Sequence, residues 1–456
     1  MHRELLITAG PGEWRAALVE NGAPVELRAE RGDGAEFGSI HLARVVRRLP
    51  ALGAALVDIG GDRPAFLPQS EVFPRGRRFN EGERIIVQIR REAQGGKAAA
   101  LTTAITLRGR QIDLIAGRPG LAAGGSLAPD EQAKLIAAIA GEDTGSADKP
   151  GFGLRITASA PVAALVEQFL GLRGRWADLT RDTALLEPPT RLWPAATFAA
   201  ALAAVFPTIA RVLVDEPAAI PEIRAAFVDA AVATVPEADW PFDLDGMFEA
   251  ALSTTVPLAG HGCVHFEATQ TAVLIDIDSG SPETGSPQRT ALAIDLAAAE
   301  AIARQIRLRN LGGGIVIDFV GLDDRAMRER VRAALARALA ADPLQPQILG
   351  WTRLGHLELV RRRRTRPLAD AMLEPAGGGV LKTAATVAHE ALHALRRAAR
   401  AQPGCSWRLR TAAEVAAVFA VEAAPALRKL EQRFGRPVAI TSDASLGRDR
   451  FQIEPL

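Results

Sequence analysis

The sequence predicts an α/β protein of several domains, with a small barrel near its start and a strand–helix–strand unit beyond its middle. Its 456 residues exceed the roughly 100–200 residues of a typical domain, so about two to four domains are expected. Short strand-like runs broken by glycine-rich turns occupy residues 36–108, and a long helical pattern separates two apolar strands in residues 264–319. The first pattern favours a barrel, and the second favours a crossover within one sheet.

Composition excludes several classes of protein. The chain is 48% hydrophobic and 23% charged, with a net charge of +1. No apolar run approaches the ~18 residues that would cross a bilayer, and the first residues lack the apolar core of a signal peptide. We therefore expect a cytoplasmic protein with no membrane partner. Arginines cluster along the chain, and these clusters are either phosphate contacts or charged, solvated faces.

The barrel prediction depends on five strand-like runs, which are Gly38–Arg47, Ala54–Ile59, Ala65–Leu67, Arg84–Arg91 and Ala98–Thr103. A barrel of the OB type binds single nucleic-acid strands through aromatic stacking and a basic groove. Phe66 and Lys97 are the candidates for these contacts. The alternatives, a core phenylalanine and a solvated lysine in a turn, fit the pattern equally well.

Three of the four aspartates in residues 264–319 suggest metal chemistry. Asp276 and Asp278 are two residues apart on the predicted strand Ala272–Asp278, so both point to one face. Asp318 lies near the end of strand Ile315–Val320, where a crossover sheet presents ligands. Carboxylates buried among Val and Ile would be costly without a cation, and Mg²⁺ suits them because it takes oxygen ligands. Alternatively, Asp278 caps a loop and Asp318 is hydrogen-bonded at a strand end.

A competing metal hypothesis comes from the run HEALH at residues 389–393. On a helix, His389 and His393 share one face and Glu390 can act as a base, as in zinc peptidases. Glu414 is a conceivable third ligand. Arginines follow the motif directly, however, so the helix also fits a charged, solvated one. The two cysteines, Cys263 and Cys405, cannot form a four-thiolate zinc site and would stay reduced in the cytoplasm.

Several motifs together resemble the ribonuclease E/G family. They are AVLIDIDSG (272–280), LAAAEAIARQIRLRN (296–310), GGGIVIDFV (312–320), WTRLGHLELVR (351–361), GSIHLARVVRRLPALGAALVDIGGDRPAFLP (38–68) and GGKAAALTT (95–103). The resemblance covers nearly the whole chain. It implies an RNase H-like subdomain interrupted by an OB-fold barrel, then a sensor-like domain, a DNase I-like catalytic domain and a small C-terminal α+β domain.

The resemblance also implies roles for the acidic residues. Asp276 and Asp318 fall on the two metal-binding aspartates of the family, and Arg353 falls on an arginine suited to contact phosphate. Asp278 occupies a position where the family usually has Asn. An ionised Asp accepts hydrogen bonds only and adds charge, so we expect tighter or additional metal binding there. The alternatives are that Asp278 acts as a base or that repulsion slows the enzyme.

RNA-contacting positions match in part. Phe66 and Lys97 fall on RNA-contacting positions of the family's barrel, whereas the second barrel phenylalanine of the family is Leu56 here. Arg155 matches the arginine of a pocket that senses a 5′-monophosphate. The threonine expected after it is Ile156, with Thr157 one place later. The basic stretch expected upstream reads GSLAPD at residues 125–130, so 5′-end sensing is in doubt.

These observations give the following division of the chain: 1–35 and 186–250, RNase H-like; 36–108, OB-fold barrel; 109–185, sensor-like; 251–370, catalytic; 371–380, linker; 381–456, C-terminal domain. The expected activity is cleavage of single-stranded RNA with Mg²⁺, for which Mn²⁺ can substitute. An RNA-binding relative with little turnover is the alternative. The family's zinc-linking cysteine pair is absent from residues 366–382. No zinc is therefore expected, and a homodimer would form through the C-terminal domain.

Overall fold

The computed structural model describes residues 2–31, 37–61, 63–93, 97–109, 111–118, 120–122, 128–140, 152–156, 160–181, 183–193, 197–206, 208–258, 262–280, 287–322, 324–363, 365–376 and 379–456. Two compact units are present. Unit 1 consists of Met1–Asp33 and Phe198–Leu456, and unit 2 consists of Gly34–Thr197.

The strands, in chain order, are β1 (Arg3–Ala9), β2 (Glu13–Glu20), β3 (Ala23–Arg31), β4 (Ile40–Leu49), β5 (Ala54–Asp58), β6 (Ala65–Pro68), β7 (Arg84–Arg91), β8 (Ala100–Thr102), β9 (Ile105–Arg108), β10 (Ile112–Ala116), β11 (Gly120–Ala122), β12 (Phe152–Ile156), β13 (Thr190–Trp193), β14 (Arg211–Val214), β15 (Ala231–Thr234), β16 (Thr255–Pro257), β17 (Cys263–Ala268), β18 (Ala272–Asp278), β19 (Gly313–Asp318), β20 (Gln347–Trp351), β21 (Leu357–Arg361), β22 (Leu373–Ala376), β23 (Gly379–Lys382), β24 (Trp407–Thr411), β25 (Val438–Ser442) and β26 (Phe451–Pro455).

The helices are α1 (Pro129–Ala140), α2 (Val162–Arg181), α3 (Phe198–Val205), α4 (Ile220–Ala226), α5 (Leu244–Leu252), α6 (Pro287–Leu308), α7 (Arg325–Leu339), α8 (Leu368–Met372), α9 (Ala384–Ala401), α10 (Ala413–Ala420) and α11 (Ala424–Phe434). The predicted α/β class is therefore confirmed. No helix of the described residues is both long enough and apolar enough to cross a membrane.

Unit 2 contains a closed barrel with the strand order β4-β5-β6-β8-β7 and a return to β4. Alternate residues of β5 point into the barrel, where Val57 of β5 and Leu67 of the neighbouring strand β6 are buried. This alternation is why short apolar–polar runs fold as barrel strands. A barrel of this form is compatible with the OB-type prediction. Beside it in sequence, β9, β10, β11 and β12 form a second sheet whose buried residues pack with α1 and α2.

Unit 1 begins with a sheet of order β15-β14-β1-β2-β3, in which β1, β14 and β15 run parallel. One face of this sheet packs on α3 and α4, and the other packs on α5 and α8. Strand β3 lacks a clear apolar–polar alternation in the sequence. Its polar residues form ion pairs within the unit instead of facing solvent at every second position, as Arg31 does with Glu13.

A second sheet in unit 1 has the order β16-β17-β18-β19-β21-β20. Helices α6 and α7 cover one of its faces through a shared apolar core. Helix α6 ends at Leu308, and Asn310 just beyond it adopts a left-handed φ of 55°, which lets the Leu311 N–H donate to the Ile306 carbonyl. This cap turns the chain directly into β19.

The C-terminal residues form a three-stranded sheet, β25-β24-β26, that packs on α9, α10 and α11. Residues 371–380, predicted as a linker, belong in their described part to the end of α8 and to the paired strands β22 and β23. Helix α9 is not the solvated helix that its arginines suggested. Arg396 is buried and forms an ion pair with Asp215.

Candidate active site

The three candidate aspartates lie on one face of the β16–β21 sheet. Along β18, Ile275 and Ile277 are buried against α6, and Asp276 and Asp278 project from the opposite face. Both carboxylates are exposed, as is that of Asp318 at the end of β19. The expectation of buried carboxylates is therefore wrong. The period-2 alternation of the strand sends the apolar residues to the helices and the acidic ones to the open face.

Strand register brings Asp276 and Asp318 together. Strands β18 and β19 are parallel neighbours, and Asp276 is the register partner of Asp318. Neighbouring strands lie about 4.8 Å apart, so the two carboxylates start from adjacent backbone positions on the same face. Such a pair of oxygen donors fits Mg²⁺, which takes one or two carboxylates and fills its remaining positions with water or phosphate oxygens. The open face leaves room for those additional ligands.

Three further side chains lie near the pair, and His356 is the one that the sequence does not predict. His356, in the turn between β20 and β21, places Nε2 3.6 Å from Oδ2 of Asp318. Arg353 lies in the same turn and is exposed. Asp278 accepts a hydrogen bond on Oδ1 from the Gly280 N–H at 2.9 Å, which is the loop-capping contact considered as an alternative. That contact leaves its second carboxylate oxygen, Oδ2, available.

Behind the open face, Asp295 of α6 holds the end of β19. Its buried Oδ1 accepts a hydrogen bond from the Val320 N–H at 2.9 Å. Burial raises the pKa of Asp295 to about 7, the Val320 hydrogen bond opposes that rise, and the charge of Asp318 adds to it. The contact fixes the backbone two residues beyond Asp318.

A cysteine and a histidine complete the face. Cys263 and His265 on β17 are the register partners of Asp278 and Asp276, respectively. The Sγ of Cys263 lies 3.2 Å from Nε2 of His265, and Nδ1 of that imidazole lies 3.0 Å from the Thr255 hydroxyl. Burial and then the charges of Asp278 and Asp276 raise the pKa of Cys263. The sequence signal for this pair is the Cys-x-His spacing on one strand, which places both side chains on the same face.

On the barrel, the predicted RNA-contacting residues lie on the outer surface. Register pairing across β4, β5, β6 and β8 places four residues side by side, in the order Arg47, Leu56, Phe66 and Ala100. Phe66 is half-buried, and the core positions on either side of it are Ala65 and Leu67. The alternative of a core phenylalanine is therefore wrong. Lys97 is exposed shortly before β8.

Of the positions compared with the family's sensor pocket, Arg155 and Ile156 lie on β12. Arg155 on β12 is the register partner of Asp113 on β10 and donates to that carboxylate from Nε at 3.0 Å and also from a terminal nitrogen. Ile156 points into the core. Thr157 lies outside the described residues. The guanidinium of Arg155 is thus already paired with a carboxylate.

Both histidines of the HEALH motif are buried. His389 and His393 lie against the turn between β1 and β2, and any side chain at Gly10 would collide with the His393 ring. Burial lowers the pKa of His389 to about 4 and holds that of His393 well below its usual value. Glu390 accepts a hydrogen bond from Lys382 at 2.9 Å. Glu414, the conceivable third ligand, instead binds Arg448.

Comparison with known proteins relates this face to nucleases. Residues 129–364, more than half of the chain, match the profile of the Ribonuclease E/G family. Ribonuclease G of Escherichia coli (strain K12) is 25% identical over 99% of this chain and 99% of its own length. Ribonuclease G of Haemophilus influenzae is 27% identical over 86% of this chain and 87% of its own. Ribonuclease E of Synechocystis sp. is 27% identical over 75% of this chain and 54% of its own. The profile match includes β18, α6 and β19.

Proposed function

The chain belongs to the ribonuclease E/G family, and on this premise we propose that it is a Mg²⁺-dependent endoribonuclease that cuts single-stranded RNA. The observation that carries the proposal is the register pair Asp276 and Asp318 on the open face of the β16–β21 sheet. Both carboxylates are exposed and adjacent, as a metal site facing an RNA backbone requires.

In this proposal Asp276 and Asp318 hold the ion. When bound there, Mg²⁺ stabilises negative charge on the phosphodiester and makes a water molecule more acidic. Arg353 binds a neighbouring phosphate, for which a guanidinium is well suited. Asp278 adds negative charge beside the ion, which favours tighter metal binding. The reaction adds the water oxygen to phosphorus and releases the 3′-oxygen with a proton, leaving a 5′-phosphate on the downstream product.

The barrel supplies the selection for single strands. Phe66 offers a half-exposed ring on the outer surface, with Arg47 two register positions away across β5. A base can stack on such a ring only when it is unpaired, and nearby cations hold the backbone. Lys97 contributes further positive charge. The role in RNA processing or decay, the cytoplasmic location and a homodimer through the C-terminal residues stay predictions.

A second candidate function is RNA binding with little turnover. It is favoured by Leu56, which leaves the barrel one aromatic platform fewer than the family pattern, and by Arg155, whose charge Asp113 neutralises. Both features weaken RNA contacts without affecting Asp276 and Asp318.

The two candidates separate in a cleavage assay on one oligoribonucleotide sequence, offered single-stranded and as a duplex. The endoribonuclease proposal predicts that, with Mg²⁺, the single strand is cut and the duplex is not. It also predicts that the downstream product carries a 5′-phosphate, which a 5′-phosphate-dependent exonuclease detects. Binding of the single strand without products would favour the second candidate.

A further inference from the structure

Beside the aspartate pair, three side chains of different chemistry converge on the same open face. The Sγ of Cys263, a ring nitrogen of His265 and a carboxylate oxygen of Asp278 all lie within 4.8 Å of one another. Cys263 and His265 are half-buried, and Asp278 is exposed. The cluster therefore has a sheltered side, formed by sulfur and nitrogen, and a side open to solvent.

Regular strand geometry holds the three side chains in place. Cys263 and His265 are two residues apart on β17, so both project to the same face. Cys263 is the register partner of Asp278 on the adjacent antiparallel strand β18. Ligands carried by paired strands are held more rigidly than ligands on loops, which lowers the cost of assembling a metal site.

The donor set selects the class of ion. A thiolate, an imidazole and a carboxylate together are the ligands of Zn²⁺, whereas Mg²⁺ prefers oxygen alone. With Zn–S near 2.3 Å and Zn–N near 2.0–2.1 Å, tetrahedral ligand atoms stand roughly 3.3–3.8 Å apart. The Cys263 Sγ and His265 Nε2 atoms lie 3.2 Å apart. A small outward movement of the thiol would therefore bring both atoms into coordination geometry.

Contacts outside the cluster orient two of the three groups. The Thr255 hydroxyl lies 3.0 Å from Nδ1 of His265, which leaves Nε2 as the atom directed toward Cys263. The Gly280 N–H donates to Oδ1 of Asp278, which leaves Oδ2 available. Metal-binding histidines are almost always held in this way through the other ring nitrogen.

We propose that Cys263, His265 and Asp278 form a binding site for a divalent transition-metal ion of the zinc class, with one coordination position open. The site is separate from the proposed Mg²⁺ ligands, although His265 is the register partner of Asp276. It does not depend on the proposed function. It departs from the expectation that zinc is absent, which depends on the missing cysteine pair in residues 366–382.

The test is a Co²⁺ titration of the reduced, chelator-treated full-length protein, without RNA. Cobalt occupies zinc sites, and a cysteine ligand adds a sulfur-to-metal charge-transfer absorption in the near ultraviolet. We expect this absorption to rise with one equivalent of Co²⁺ per chain and to disappear on stoichiometric addition of Zn²⁺. Cys263→Ser should abolish the absorption. Asp278→Asn, a change at an exposed position, should weaken Co²⁺ binding at least tenfold.

Two further variants make the test specific. Cys405→Ser removes the only other thiol of the sequence and should leave the titration unchanged. Thr255→Val removes the hydroxyl that orients His265 and should weaken binding about 10–100-fold while retaining the absorption.

No charge-transfer absorption in the wild type, or its retention in Cys263→Ser, would overturn the proposal. Zinc bound equally well by Cys263→Ser would also overturn it, because the ion would then occupy another site. Since RNA is absent, failure here leaves the endoribonuclease proposal intact, and a protein that fails to cut RNA can still bind the ion.

Discussion

Replacing Asp318 by Asn separates the catalytic contribution of the carboxylate from its contribution to folding. The side chain of Asp318 is 57% exposed and meets His356 at 3.6 Å. An exposed pair of this kind contributes at most about 1 kcal/mol to stability. The substitution also removes the repulsion between Asp318 and its register partner Asp276. Two unit charges repel by about 1 kcal/mol in water when they are ~4 Å apart. The two effects oppose each other, so we expect the free energy of unfolding to change by less than about 1 kcal/mol.

The expected effect on catalysis is much larger. Loss of a carboxylate ligand to the ion removes several kcal/mol of transition-state stabilisation. At about 1.4 kcal/mol per tenfold, a loss of about 3–4 kcal/mol lowers kcat/KM about 10²–10³-fold. The ion should also stabilise the wild-type fold by about 2.7 kcal/mol at a hundredfold excess over its Kd, and this stabilisation should largely disappear in Asp318→Asn.

The assay follows cleavage of a fluorescent single-stranded oligoribonucleotide, alongside thermal unfolding with and without Mg²⁺. Glu358→Gln is the matched control, because Glu358 is an exposed carboxylate on the same open face, opposite Val316. It should retain both activity and the Mg²⁺-induced rise in Tm. Full activity in Asp318→Asn, or an equal loss in Glu358→Gln, would refute the assignment.

Three further predictions concern RNA binding, 5′-end sensing and pH. Phe66→Ala should weaken single-strand binding by about 1–3 kcal/mol in a fluorescence anisotropy titration. Val46→Ala changes an exposed residue of the same barrel and should leave binding unchanged. Equal effects of the two substitutions would contradict the stacking role of Phe66. Because Asp113 already neutralises Arg155, an RNA with a 5′-monophosphate and the same RNA with a 5′-hydroxyl should be cut at rates within about tenfold of each other. A larger preference for the 5′-monophosphate would show that the sensor is functional. Burial lowers the pKa of His389 to about 4 and holds that of His393 well below its usual value. Below the unfolded pKa of about 6.5, the unfolded chain therefore binds protons that the folded chain cannot. Stability should therefore fall as the pH drops from 7 to 5, opposed in part by Asp295, whose raised pKa of about 7 acts in the other direction; a higher urea midpoint at pH 5 would contradict this.

Local sequence patterns predicted the β18–α6–β19 unit well. Strand β18 has the predicted bounds, because apolar alternation is a property of neighbouring residues. The meeting of Asp276 and Asp318 follows from the crossover connection. Their exposure did not follow, because sequence does not show which face of a sheet remains uncovered.

Features that depend on distant partners were missed. Arg396 looks solvated in the sequence, yet it is buried beside Asp215, 181 residues away. Arg155 resembles a phosphate ligand until its strand is paired with that of Asp113. The role of Cys263 likewise depends on its register with Asp278, which only the fold reveals. In each case a contact with a residue distant in sequence changes the role inferred for a charged or reactive side chain.

The most direct test of the central claim is to incubate the wild-type protein with a fluorescent single-stranded oligoribonucleotide, first with Mg²⁺ and then with excess chelator. We predict cleavage with Mg²⁺, none with chelator, and recovery when Mg²⁺ or Mn²⁺ is added back. Asp276→Asn should remain inactive under all these conditions. Cleavage that continues in chelator, or that persists in Asp276→Asn, would contradict the claim that the Asp276 and Asp318 pair holds a catalytic ion.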